Sequence, residues 1–149
     1  MVTVRLAAPA EAVTLQAIAR EAYRRYVPRI GREPAPMSAD YGAAVRDGQA
    51  WVAVDQDQVI GFAVLVARPD HLLLENLAVR PSRQGGGAGS LLLALAQDEA
   101  RRLRLAEIRL YTNEAMTENL SYYPRHGYSE THRAEHDGFR RVFFRKRIA

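Results

Sequence analysis

The sequence contains no cysteine in its 149 residues. This excludes disulfides, thiolate metal sites and a cysteine nucleophile. Lysine is almost as scarce, since Lys146 is the only one, at the far C-terminal end. No apolar run approaches the ~20 residues of a membrane-spanning helix. The opening stretch MVTVRLAAPAEAV lacks the basic region and apolar core of a signal peptide, so a cytoplasmic protein is expected. Repeats, linkers and low-complexity tracts are also missing, and the length suits one domain, residues 1–149, with a layered core. Positive charge is present: the net charge is +4 and arginine carries nearly all of the basic side. It falls in two runs, Arg20 to Arg32 and Arg140 to Arg147. Both runs read as a solvated surface rather than a nucleic-acid surface.

Hydrophobic periodicity predicts the order β-α-α-β-β-β-α-β-α-β-β, an α/β chain with a mixed sheet and helices on both faces. Val2 to Leu6 reads as the first strand, and Pro9 opens a helix to about Arg25 with Leu15, Ile18, Ala19 and Ala22 on its apolar face. The three prolines and one glycine between Tyr26 and Met37 predict a long ordered loop, and Ser38 is the expected cap of a second helix ending near Gly48. Trp51 to Asp55 and Val59 to Ala67 read as a hairpin, and His71 to Val79 as the next strand. The leucine-rich helix that follows runs to about Arg104, with Leu92, Leu95, Ala96, Ala100 and Leu103 as its buried stripe. Ala106 to Thr112 is a strand, Thr117 to Arg125 a short helix stopped at Gly127. Tyr128 to Arg133 and Phe139 to Arg147 form a hairpin turning at Asp137 and Gly138.

Between the fourth predicted strand and the leucine-rich helix lies LAVRPSRQGGGAGS, with glycine at positions 85, 86, 87 and 89. Backbone amides without flanking Cβ atoms, at the positive end of a helix, form a phosphate site. A lysine-dependent P-loop is ruled out, because the only lysine, Lys146, lies far from the glycines. The dinucleotide fingerprint fails as well, since Ser90 stands where its third glycine belongs. What remains is Q-x-x-G-x-G, met by Gln84, Gly87 and Gly89. This spacing resembles the acetyl-coenzyme A signature of the GNAT superfamily of N-acetyltransferases. The preceding ENLAV-RPS is similar to that family's fourth strand and its continuation, and the leucine run to its third helix. NLSYYPRHGY (Asn119 to Tyr128) is similar to its late signature, a Tyr four residues before a Gly-aromatic pair. With the element order, the resemblance covers Val2 to Ile148.

The resemblance implies a GNAT-like fold of about seven mostly antiparallel strands, splayed between the fourth and fifth, with four helices. It implies that acetyl-coenzyme A is the cosubstrate, with its pyrophosphate on amides of Gln84, Gly85, Gly86, Gly87, Ala88, Gly89 and Ser90. No metal is implied. Its pantetheine arm would pair with backbone of Leu77, Ala78 and Val79, and the Val79 N–H would hold the thioester oxygen. Arg83 either adds charge near the phosphates or is a solvated loop residue, and Asn119 either contacts the coenzyme or caps locally. Tyr123 matches the acid that protonates the departing thiolate; Pro124 beside it departs from the pattern and bears on where the hydroxyl sits. The family's fifth-strand carboxylate is absent, Tyr111 standing there. Glu75, placed by strand alternation on the face of Leu73, Leu77 and Val79, is the candidate base, directly or through water.

Family precedent puts the acceptor pocket on the first two helices, their connecting loop and the last hairpin. Here that points to Tyr23, Tyr26, Arg29, Tyr41 and the segment His132 to Asp137. His132 and His136 have i, i+4 spacing but no third ligand. The expected activity is transfer of an acetyl group to a primary amine of a small molecule or peptide. Direct attack follows from the absence of a cysteine to carry the acetyl group. A coenzyme-binding sensor without catalysis and a toxin-like aminoacyl-tRNA acetyltransferase are the alternatives. The resemblance allows a homodimer, for which the residues carry no interface signal.

Overall fold

The computed structural model describes residues 1–148. Seven strands form one sheet in the order β1-β2-β3-β4-β5-β7-β6. They are β1 Val2–Leu6, β2 Ala50–Asp55, β3 Gln58–Ala67, β4 Leu72–Val79, β5 Glu107–Asn113, β6 Ser129–His136 and β7 Phe139–Arg147. Every neighbouring pair is antiparallel except β4 and β5. The helices are α1 Ala12–Tyr23, the single turn α2 Val27–Ile30, α3 Tyr41–Arg46, α4 Ala88–Arg102 and α5 Thr117–Arg125. The mixed, splayed sheet with four longer helices matches the architecture expected from the sequence. Among the described residues no helix is long and apolar enough to cross a membrane.

The core lies on both faces of the sheet. On one side Leu92, Leu93, Ala96 and Ala100 of α4 pack against Ile60, Leu65, Leu72, Leu74 and Ile108. On the other, Leu15, Ile18 and Ala19 of α1 and Ala44 of α3 cover Val52, Phe62, Val64 and Ala78. Leu93 replaces Leu103 in the α4 stripe. Leu103 is the C-terminal cap and is exposed, and Leu95 is only partly buried.

Several boundaries differ from the expectation for physical reasons. The helix after Pro9 begins as a 3-10 turn and ends at Tyr23, and the predicted loop from Tyr26 to Met37 carries α2 and the 3-10 turn Ala35–Met37. Prolines at first-turn positions allow both short pieces, because no intrahelical donor is lost there. The cap of α3 is Asp40, not Ser38: its Oδ1 accepts from the Ala43 N–H at 3.0 Å. The last hairpin turns at Asp137 and Gly138, both with positive φ (+54° and +79°), as a two-residue connection requires.

Two irregularities in β4 shape the site. Its parallel pairing with β5 holds only at Leu72↔Ile108 and Leu73↔Arg109, and the strands then part. Its register with β3 jumps from Val64↔Asn76 to Leu65↔Leu74, leaving Glu75 as the extra residue of a β-bulge. One extra residue reverses the alternation. Leu77 and Val79 therefore pack on the α4 side with Leu72 and Leu74, while Ala78 faces α1. The expectation that Glu75 shares an uninterrupted face with Leu73, Leu77 and Val79 is corrected accordingly. Glu75 is exposed.

Candidate functional site

The parting of β4 from β5 leaves one edge of β4 without a partner strand. The Arg80 N–H bonds to Ile60 of β3, so alternation turns the peptide groups of Leu77 and Val79 to the opposite, open edge. Both carbonyls there are engaged. The Tyr23 hydroxyl donates to the Leu77 oxygen at 2.8 Å, and Gln84 Nε2 donates to the Val79 oxygen at 3.1 Å.

A groove of about 480 Å³ follows this open edge down to the start of α4. Leu77, Ala78 and Val79 form one wall, Gln84, Gly85, Gly87, Gly89 and Ser90 the end, and Asn119, Tyr122 and Tyr123 of α5 the other wall. Gly87 is the N-cap of α4 with φ +94°, a left-handed conformation that strains any residue with a Cβ. Gly89 is needed for closeness instead: a Cβ on it would lie 2.5 Å from the Tyr122 hydroxyl. The loop thus presents a bare backbone at a helix N-terminus, a cradle for an anion. Gly86 and Ala88 belong to the same turn, with Ala88 buried beneath it.

The cations beside the groove are not the expected one. Arg83 points away and forms a short ion pair with Asp55, which also takes the N-terminal ammonium at 3.2 Å. Arg25 and Arg125 line the groove instead. Both escaped the sequence reading because neither stands near the glycines in the chain. Tyr26 also lines it, with Arg25 stacked on its ring at 4.8 Å and Arg29 at 5.2 Å. Arg29 pairs bidentately with Glu118 at 2.6 and 3.0 Å, tying the α2 turn to α5. That pairing lowers the Glu118 carboxyl to about 2.

A second, smaller cavity of about 100 Å³ opens on the other side of the splay. Tyr23, Leu77, Asn119 and Tyr123 line both spaces, so the two meet at these four residues. The small cavity adds Glu75, Asn76, Tyr111, Asn113, Phe139 and Arg141, with Pro34 to Pro36 as its rim. Asn113 and Arg141 were not anticipated here, and Tyr111 stands where the resemblance puts a fifth-strand carboxylate. Arg141 lies in a basic run that reads as solvated edge, yet it pairs across the sheet with Asn113 where β4 and β5 have parted.

Tyr123 is 7% exposed, its ring packed against Tyr122, Tyr128 and Phe144. Burial, with other tyrosines nearby, pushes its phenol well above the ordinary value of 10. Pro124 does not break α5, which continues to Arg125. Asn119 donates to Thr112 Oγ1 at 3.0 Å, which fixes its amide at the junction. Burial likewise raises Tyr23. Tyr41, expected at the acceptor pocket, lies in the α1-side core at 2% exposure, edge-on to Phe62 and donating to the Pro36 carbonyl at 2.5 Å. His132 stacks on Phe143 and His136 accepts from Arg141, and no group of three potential metal ligands occurs among the described residues.

A family model described as an acetyltransferase (GNAT) domain matches residues 46–130. No curated protein matches. Among solved structures, a PaiA N-acetyltransferase from Thermoplasma acidophilum, crystallised with coenzyme A, is 20% identical over 99% of each chain, with a TM-score of 0.84. Ard1 from Thermoplasma volcanium is 17% identical over 99% of this chain and 98% of its own, with a TM-score of 0.81. The ribosomal-protein-S18-alanine N-acetyltransferase from Escherichia coli is 18% identical over 100% of this chain and 95% of its own, at 0.77. At these identities the structural likeness speaks for the fold.

Proposed function

The chain belongs to the GNAT acetyltransferase family, and we propose that it moves the acetyl group of acetyl-coenzyme A directly onto a primary amine. One observation carries this reading: the large groove and the small cavity meet at a buried phenol, Tyr123. The groove fits the donor, since its end is bare backbone at a helix N-terminus and one wall is a strand edge with no partner strand. Gln84 to Ser90 would hold the pyrophosphate, with Arg25 and Arg125 beside them. Leu77 and Val79 would receive the pantetheine arm as an added strand. When bound, the coenzyme supplies a thioester, an acyl group on a good leaving thiolate.

The remaining steps belong to the protein. An amine with a pKa near ~10 arrives as an ammonium and must lose a proton before its nitrogen can attack. Glu75, the bulged carboxylate on the small cavity, takes that proton directly or through water and passes it to solvent. The nitrogen then bonds to the thioester carbon from the small-cavity side. Charge developing on the thioester oxygen is met by a backbone N–H. Leu77 suits this better than Val79, because Leu77 lines both spaces and Val79 only the groove. As the carbon–sulfur bond breaks, Tyr123 protonates the thiolate, and the second ammonium proton restores the phenol. The products are the acetamide, the free thiol and one proton released. A phenol held above its ordinary pKa remains protonated, and so remains an acid, throughout the neutral range.

The test is release of free thiol from acetyl-coenzyme A over a panel of primary amines. Turnover with at least one amine is expected. Thermal stabilisation by acetyl-coenzyme A without turnover on any amine would instead identify a coenzyme-binding module.

A further inference from the structure

Arg141 is 6% exposed, and it lines the small cavity. A cation this buried is costly unless an anion sits against it. Among the described residues the only carboxylate within 4 Å is that of Asp137, at 3.6 Å, on a side chain that is itself 73% exposed. Glu75 lines the same cavity without forming an ion pair with Arg141. The guanidinium is held flat, stacked on Tyr111 at 4.3 Å with Phe139 on its flank at 5.5 Å, and Arg32 packs on Phe139 in turn at 3.7 Å. His136 Nδ1 accepts from Nη1. Nε and Nη2 have no hydrogen-bond partner among the described residues. These two donors are parallel, and they form the edge of a guanidinium that matches both oxygens of a carboxylate.

From this we infer that the acetyl acceptor is a primary amine carrying a carboxylate a few bonds from its nitrogen, which Arg141 binds through Nε and Nη2. The inference rests on the transferase reading above and names the substrate class of that site. The cavity offers opposite charges to the two ends of such a zwitterion: Arg141 for the carboxylate, and Glu75 for the ammonium that must be deprotonated. Its volume of about 100 Å³ holds several waters, room for the amino and carboxylate ends of one small molecule and little more. The shared chemistry covers a free amino acid and a peptide whose first residue is Asp or Glu.

The experiment compares kcat/KM for amino acids with that for their decarboxylated amines, followed as thiol release. C-terminally amidated tripeptides beginning with Glu or Ala form a second arm. A preference of about 100-fold for the carboxylate-bearing partner is expected in at least one pair, the scale of a desolvated bidentate pair. Preference among the free amino acids identifies a metabolite acceptor; preference confined to the Glu peptide identifies an acidic peptide end. In Arg141→Gln that ratio should fall toward one, and Arg141→Lys should recover part of it. A merely structural role would lower both members of a pair together and leave the ratio intact, which overturns the inference. So does a wild-type enzyme that acetylates amines without regard to a carboxylate, or one that prefers aminoalkyl phosphonates. No turnover on any amine, with stabilisation by acetyl-coenzyme A intact, removes the transferase reading and this inference with it. Turnover without a carboxylate preference removes this inference alone.

Discussion

The groove and the small cavity share four residues and are built in opposite ways. The groove's donor-facing wall and end are made of main chain: an open strand edge at Leu77 and Val79 and a glycine turn from Gln84 to Ser90, all within one short stretch of sequence. The small cavity is made of side chains from β4, β5, α5, β7 and the Pro34–Pro36 rim, brought together from distant parts of the chain. A main-chain site needs residues that keep out of the way, whereas a side-chain site needs particular functional groups. Substitutions should therefore fail differently on the two sides.

The largest effect is expected where the two meet. Tyr123→Phe should lower kcat by about 100-fold or more, the usual range for a lost general acid, while acetyl-coenzyme A binding is kept. Because burial holds this phenol well above 10, its proton is present below that pH and lost only above it. The wild-type kcat profile should thus show no falling limb from this group up to about pH 10. A Tyr123→Phe enzyme with unchanged kcat, or one that has lost donor binding in proportion, would erase the distinction drawn here between the junction and the groove.

Glu75→Gln probes the small cavity alone, with a loss of about 30-fold in kcat/KM at neutral pH, toward the lower end for a base working through water. Glu75→Asp, which keeps a carboxylate on a shorter stem, should recover part of that loss. A Glu75→Gln enzyme with unchanged kcat/KM would remove Glu75 from the chemistry and assign deprotonation to water.

Much of this division explains what the sequence disclosed. The glycine turn was legible because backbone sites leave a contiguous signature: Gln84, Gly87 and Gly89 stand within six positions of one another. Among the strands, β5 was legible from its alternation and β3 as a continuous apolar run bounded by turn residues. The bulge was not, since Glu75 carries no glycine or proline to mark it, and one inserted residue inverts every later inside-outside assignment in β4. Arg141 was hidden for a different reason. In FRRVFFRKR it is one of several arginines, and only its pairing with Asn113 beside the splay buries it. Tyr41 erred in the other direction: an aromatic near the expected pocket proved to be core, because α3 packs on Phe62 rather than on the cavity.

On the groove side, Gly89→Ala should raise the dissociation constant for acetyl-coenzyme A by about tenfold, as Tyr122 is pushed into space the donor uses. The clash is with one atom, the Tyr122 hydroxyl at 2.5 Å, and the next ring atom lies at an ordinary 3.6 Å. Adding Tyr122→Phe to Gly89→Ala should therefore restore most of the affinity, measured by calorimetry. Failure of that rescue would mean that the added methyl itself, and not the displaced tyrosine, blocks the donor.

The smallest effects separate two arginines that sequence position ranks the wrong way round. Arg83 lies beside the glycines in the chain but spends its charge on Asp55, whereas Arg125, far along the chain in α5, lines the groove. Arg125→Ala should raise the donor's dissociation constant about fivefold at low salt, and the difference should shrink as screening increases. Arg83→Ala should stay within about twofold of wild type at every salt concentration, losing only a partly exposed ion pair. The reverse order, with Arg83 the more costly loss, would show that Asp55 releases it when the donor binds, and the groove would then recruit side-chain charge much as the small cavity does.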